Sequence, residues 1–340
     1  MKKIILILLC VLLISCAPKE SKDNKVHSNV LLESSIKESK NKNENVENII
    51  NREKIKRQDI EKLISPDNLE KNFKKITSTH RKRGTKENYL AGDYICSKMK
   101  ENGYNVYFQD FNAYDIKLSD AFKAVSKENI VPSAKNVIFK GRNIIAKRKD
   151  FKENTPMLII SAHYDTTKDN IGAIDNGAAV CALIETSRIL EYAKLNYEPV
   201  FVFFDSEEYR LFGSRYFIYN LSSEERENIY GNFNVDMIGN LKARKIMMVD
   251  GSEDEFYKKA LKIFPDKNIE KTDLGQSDDS SFYYNHIKKV RYTTADFKSK
   301  EFNKDWLGIE SDTSSIDLNT LLEDVSFIAN YLNELELDQN

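Results

Sequence analysis

The sequence predicts an α/β protein: one globular domain with a central, mainly parallel or mixed β-sheet and helices on both faces. Three observations predict it. Two continuous apolar runs, Met157 to Ile160 and Pro199 to Phe204, suit strands covered on both faces rather than half-buried ones. Strand-like segments alternate with segments of helical period. The chain after about residue 65, roughly 275 of the 340 residues, is long enough for one large core.

Taken in order, Met1-Lys2-Lys3 is a charged leader and Ile4 to Ile14 an apolar run too short to span a bilayer comfortably. It ends in Leu13-Ile14-Ser15-Cys16, which resembles a bacterial lipobox. That resemblance implies cleavage before Cys16, lipidation of Cys16, and an exported protein anchored to the bacterial membrane with its domain outside the cytoplasm. An ordinary signal peptide with a chance cysteine is the alternative. Residues 17–65 are rich in Lys, Asn, Glu and Ser and cannot bury enough apolar surface to offset their ordering entropy. They read as a flexible tether, with helical spacing around Ile49 to Leu63. The net charge of −1 implies neither nucleic acid nor another polyanion as partner.

Within the domain, Lys86 to Glu101 has helical spacing and stops at Gly103. Tyr104 to Phe111 alternates as a strand, and Asn136 to Lys147 suggests another. The Met157 strand is followed by a helix from Asn176 to about Ala193, and the Pro199 strand by a short helix through Gly213. A strand around Phe233 to Asp236, a strand Lys245 to Val249, a helix Glu253 to Phe264, a strand Lys289 to Thr293 and a helix Thr320 to Leu335 complete the pattern. Cys96 and Cys181 lie in helical stretches and read as buried thiols, although an exported protein could pair them.

The chemistry gathers where apolar runs end. The Met157 strand runs into Ala162-His163-Tyr164-Asp165, and a loop then brings Asp175 to the start of Asn176-Gly177-Ala178. The Pro199 strand ends in Asp205-Ser206-Glu207-Glu208, and a third ends at Asp236. The carboxyl edge of an open α/β sheet is where ligands bind. Each motif also has an ordinary explanation: a hydrogen-bonded histidine, glutamates favouring a helix dipole, an Asp-Asn-Gly turn. Together they would crowd like charges at one edge, which is costly unless a cation neutralises them, so a divalent metal is implied.

The order His163-Tyr164-Asp165, Asp175-Asn176-Gly177, Glu207-Glu208, Val235-Asp236-Met237-Ile238-Gly239 resembles the family twenty-eight zinc metallopeptidases, the bacterial leucyl-type aminopeptidases among them, with glutaminyl cyclases as more distant kin. The resemblance extends through Arg83-Gly84-Thr85, Asn143-Ile144-Ile145-Ala146, Ser277-Asp278 and Asp312-Thr313. It implies a zinc exopeptidase fold and an exopeptidase, most simply an aminopeptidase, acting on peptides; a monomer is expected. By the resemblance Asp175 bridges two metals, His163 and Asp236 complete one site, Glu208 serves the other, and Glu207 is the general base. Asp165 would hold the other nitrogen of His163, and the Asp175–Asn176 peptide would be cis.

Two positions depart from the family pattern. Aligned on Asp312-Thr313, the place of the second metal's histidine is Gly308. The chain has four histidines, His27, His80, His163 and His286, and none is a natural replacement. Asp279 stands where relatives often carry a histidine. The second site therefore either takes a nearby acid, with Glu310 first and Asp305 or Asp312 next, and then suits Mn2+ or Mg2+ better than Zn2+, or it holds no ion. An impaired peptidase fold acting as a peptide-binding module is the alternative function.

Overall fold

The computed structural model describes residues 52–132, 135–167, 170–240, 244–251, 254–273, 275–295, 313 and 316–338. Cys16, the stretch before residue 52, Gly308, Glu310, Asp305 and Asp312 lie outside the described residues.

The chain opens with α1 (Arg57–Leu63), α2 (Pro66–Ile76) and α3 (Lys86–Glu101), followed by the antiparallel pair β1 (Tyr104–Tyr114) and β2 (Val137–Arg148). Next come β3 (Met157–His163), α4 (Ala178–Leu190), β4 (Glu198–Phe204), α5 (Phe212–Tyr219), α6 (Ser223–Asn228) and β5 (Ile229–Val235). The last elements are β6 (Arg244–Asp250), α7 (Glu255–Ile263), β7 (Glu270–Lys271), α8 (Asp278–Tyr283), β8 (Lys288–Ala295) and α9 (Leu318–Glu334). The eight strands form one mixed sheet in the order β1-β2-β4-β3-β5-β8-β6-β7. Its centre, β4-β3-β5-β8, is parallel, as the continuous apolar runs require.

β3 alternates into two cores. Leu158, Ile160 and Ala162 pack with the Ala- and Leu-rich face of α4 and with α9, while Met157 and Ile159 pack with Phe217 of α5 and Phe282 of α8. Helices thus cover both faces. β4 lies on one side of β3 and β5 on the other, so the chain reverses its direction of travel across the sheet there. That reversal opens a crevice at the carboxyl end of β3.

Three differences from the sequence reading have physical causes. The stretch from Arg52 to Ser65, expected in the tether, belongs to the domain. Ile60 of α1 is buried against Ile189 and Ala329, and Arg57 donates to Glu334 at 3.0 Å. Two apolar residues, Ile60 and Leu63, in a seven-residue helix are too weak a pattern to distinguish from a solvated run. α2, also unforeseen, has Ser65 as its cap, accepting from Asn68 N at 3.3 Å, with proline at its first position. The helix expected through Gly213 begins only at Phe212, because Ser206, Arg210 and Leu211 adopt left-handed backbone angles that fold Glu207 to Leu211 into a turn.

Among the described residues no helix is long and apolar enough to cross a membrane. Cys96 and Cys181 are buried free thiols.

Candidate metal centre

His163 is the last residue of β3 and Asp236 the first after β5, so the parallel register places them side by side at the sheet edge. Asp175 reaches them from the loop before α4. Residues Ala173 to Gly177 make one wide turn, with Gly177 N donating to Gly172 O at 2.8 Å, and the helix starts two residues later than its sequence pattern indicates. Gly172 has a positive φ of 55°, and a Cβ there would lie 2.3 Å from Asp175 O, so the turn requires glycine. The Asp175–Asn176 peptide is cis. Asn176 then ties this turn to β5, donating to Val235 O at 2.9 Å and accepting from Met237 N at 3.2 Å.

One ligand atom from each of His163, Asp175 and Asp236 lies within 4.8 Å of the other two. His163 Nε2 is 2.9 Å from Asp175 Oδ1 and 3.6 Å from Asp236 Oδ1. Both oxygens are buried and accept no hydrogen bond of acceptable geometry. Buried carboxylate oxygens without donors are costly, and one nitrogen with two oxygens is a donor set that suits zinc, so the residues fit a divalent ion.

Asp165 is fully buried. Its Oδ1 lies 3.5 Å from His163 Nδ1 and accepts a 3.0 Å hydrogen bond from the main-chain nitrogen of Glu207. Glu207 and Glu208 sit half-buried in the turn after β4. Its approach is fixed by Asp205, whose carboxylate accepts from Asn88 Nδ2 at 3.2 Å and Arg142 N at 3.0 Å. Asn143, in the second of the upstream motifs, accepts from Asp205 N and donates to Gly213 O. A side chain at Gly213 would meet Asp205 O at 2.0 Å, so glycine permits this close crossing. Glu208 does not belong to the three-residue cluster, and the position expected to complete its site lies outside the described residues.

The electrostatics follow from burying many acids together. Burial, aided by Asp278, Glu208 and Asp236 and opposed by His163, pushes the Glu207 carboxyl well up. Burial pushes Asp278 up to about 8, with His163 opposing. Asp175 is likewise raised by burial, against the pull of His163. Burial acts the same way on Asp236, but the neighbouring His163 and Arg291 outweigh it and the carboxyl is lowered. For His163 burial disfavours charge, yet Glu207, Asp165, Asp175 and Asp236 hold its pKa well above the ordinary imidazole value.

Other sequence-marked residues are placed differently. His80 and His286 are not in the cluster. Asp279 is a buried ion-pair partner, 2.8 Å from Lys289 Nζ and 3.6 Å from Arg291 Nε. Arg291 Nη1 in turn stands 3.9 Å from Asp236 Oδ2. Arg83 lies over the rings of Phe139 and Tyr209. The sequence reading missed Arg81, two residues before it, which is completely buried behind the Asp175 turn. In the basic run His80 to Arg83 nothing in the sequence distinguishes a buried arginine from a solvated one. The buried Asp278 was legible as part of a motif but not as a member of the acid group.

The chain is similar to several known proteins. Aminopeptidase YwaD of Bacillus subtilis (strain 168) is 29% identical over 168 residues, covering 47% of this chain and 37% of that protein. Leupeptin-inactivating enzyme 1 of Streptomyces exfoliatus is 34% identical over 103 residues, 29% of this chain and 23% of that one. The matches thus span well under half the length of these relatives. Among solved structures, a zinc aminopeptidase from Bacillus subtilis, BSAP, superposes with a TM-score of 0.66 at 15% identity, covering 79% of this chain and 94% of that one. A glutaminyl cyclase from Bacteroides thetaiotaomicron, bound to N-acetylhistamine, gives 0.62 at 20% identity, over 79% and 98%. At these identities the likeness is one of fold. The model of Peptidase family M28 matches residues 143–332, the stretch that carries His163, Asp175, Glu207, Glu208 and Asp236, and the chain belongs to that family.

Proposed function

We propose that the chain is a metal-dependent exopeptidase, an aminopeptidase that removes N-terminal residues from peptides. The observation that carries this reading is the convergence of His163 Nε2, Asp175 Oδ1 and Asp236 Oδ1 at the sheet edge, with Glu207 in the adjoining turn. His163, Asp175 and Asp236 would hold one zinc ion, and Asp175 with Glu208 a second ion. The ion's chemistry is to acidify a water and polarise the scissile carbonyl.

The protein's own groups do the rest. Glu207 takes the proton of the attacking water and returns it to the leaving amine. A carboxyl whose pKa is raised by burial is better matched to that two-way transfer near neutral pH than an ordinary glutamate. Asp165 does not touch the reacting atoms. It orients the His163 ring and fixes the start of the Glu207 turn, as partners of metal-ligating histidines do.

With Gly308 where a histidine would complete the second site, that site is all oxygen and suits Mn2+ or Mg2+, or it stays empty. The same feature favours the second reading, a peptide-binding module without turnover. The test is metal content of the purified full-length chain together with hydrolysis of a panel of aminoacyl-anilides. At least one tightly held zinc with turnover is expected; binding of no divalent metal at micromolar concentrations overturns the enzyme reading.

We further propose that Cys16 carries a lipid anchor holding a monomeric enzyme at the outer side of the bacterial membrane. Its support is the Leu13 to Cys16 motif behind a charged and apolar leader. Cys16→Ala should block processing or release the protein from the detergent phase, and unchanged partition refutes it.

A further inference from the structure

Arg81 is a fully buried arginine outside the ligand set, and three of its four side-chain hydrogen bonds go to the segments that carry the ligands. Its Nε donates to Tyr164 O at 2.8 Å, one residue beyond His163. Nη1 donates to Ile76 O at 2.9 Å and Ile171 O at 2.5 Å, and Nη2 to Gly172 O at 3.0 Å, at the start of the turn that presents Asp175. Its main chain joins in: Arg81 N donates to Thr166 Oγ1 at 2.9 Å and Arg81 O accepts from Thr166 N at 3.3 Å. A Cβ on Gly172 would come within 2.8 Å of Nη2, so the glycine also makes room for the guanidinium.

The acceptors belong to three separate stretches of chain: the end of α2, the exit of β3 and the Asp175 turn. Among the described residues no backbone ladder joins the β3 exit to that turn. A planar guanidinium with five fixed donors can span carbonyls diverging from one point, whereas an ammonium cannot. We propose that Arg81 is the positioning residue of the metal centre, setting the separation between His163 and Asp175 by clamping their two carrier segments to each other. It rests on the metal reading above and adds a residue outside the ligand set that determines how tightly the ion is held.

The control is built into the fold. Arg148 is likewise buried and donates to carbonyls, those of Leu190 and Ala193, but at the far end of β2, on the sheet edge opposite the ligands. Full-length wild type, Arg81→Lys and Arg148→Lys are titrated with zinc against a chromogenic chelator, and metal-free unfolding is measured on the same samples. Arg81→Lys should lose about 10- to 100-fold in zinc affinity, the range for lost outer-shell support. It should also shift the visible spectrum of the cobalt-loaded protein. Arg148→Lys should lose stability yet keep both the affinity and the spectrum of wild type. Unchanged zinc affinity in Arg81→Lys overturns the proposal, as does a loss in both variants that merely tracks stability. Should Arg81→Lys fail to fold, Thr166→Val removes the acceptor of the Arg81 main-chain nitrogen, which ties the same residue to the β3 exit, and a zinc affinity equal to wild type then overturns the proposal instead. A wild type that binds no zinc overturns the metal reading beneath it, which is a different result from a metal-binding wild type with indifferent variants.

Discussion

Asp165 accepts a 3.0 Å hydrogen bond from the main-chain nitrogen of Glu207 through the same oxygen that lies 3.5 Å from His163 Nδ1. One buried carboxylate thus lies between a ring nitrogen at the end of β3 and the turn after β4, two elements joined in sequence only through α4.

Glu207→Gln keeps the main-chain bond to Asp165 and the side-chain volume but cannot carry a proton. Turnover of an aminoacyl-anilide should fall on the order of 10²- to 10⁴-fold with zinc content unchanged. Joint loss of metal and activity would make Glu207 a structural residue.

Zinc affinity should rise with pH beyond the range of an ordinary histidine. The ligand form of His163 is the neutral ring, and the surrounding acids raise its pKa, so protons compete with metal at pH values where a free imidazole would already be neutral. Chelator competition between pH 6 and 8.5 should show apparent affinity climbing by up to about tenfold per pH unit, with proton release on binding. A flat profile above pH 6.5 would contradict the raised value.

Asp279→Ala should destabilise the fold by about 1–3 kcal/mol in urea unfolding, because it removes the buried carboxylate that accepts from Lys289 and lies beside Arg291. It should also bring Arg291 more fully onto Asp236 and weaken zinc binding. A neutral substitution would mean that this ion-pair group is hydrated.

Gly308→His tests the second site. If that site is limited by its missing ligand, zinc content should rise from one to two equivalents and activity with it. If wild type already binds two ions and Glu310→Ala loses one, a carboxylate serves in place of the histidine.

The sequence by itself determined the sheet and which of its edges gathers the polar groups. Four adjacent apolar residues before His163 and six before Asp205 can be satisfied only by burial on both faces, and where such runs stop is a local property of the chain. The three clustered groups were legible for the same reason, since each stands at or close to the end of an apolar element. Tertiary structure alone decided which groups meet and what holds them. Arg81 is buried because three non-adjacent segments offer it carbonyls, and neither its neighbours nor its spacing encode that. α1 is held on the domain by Ile60 and by the ion pair of Arg57 with Glu334, more than 270 residues away in sequence. Asp279 becomes an ion-pair partner only when α8 settles on β8. Periodicity reports the face a residue presents, whereas a buried charge depends on partners brought from elsewhere in the chain, and that pairing exists only in the folded state.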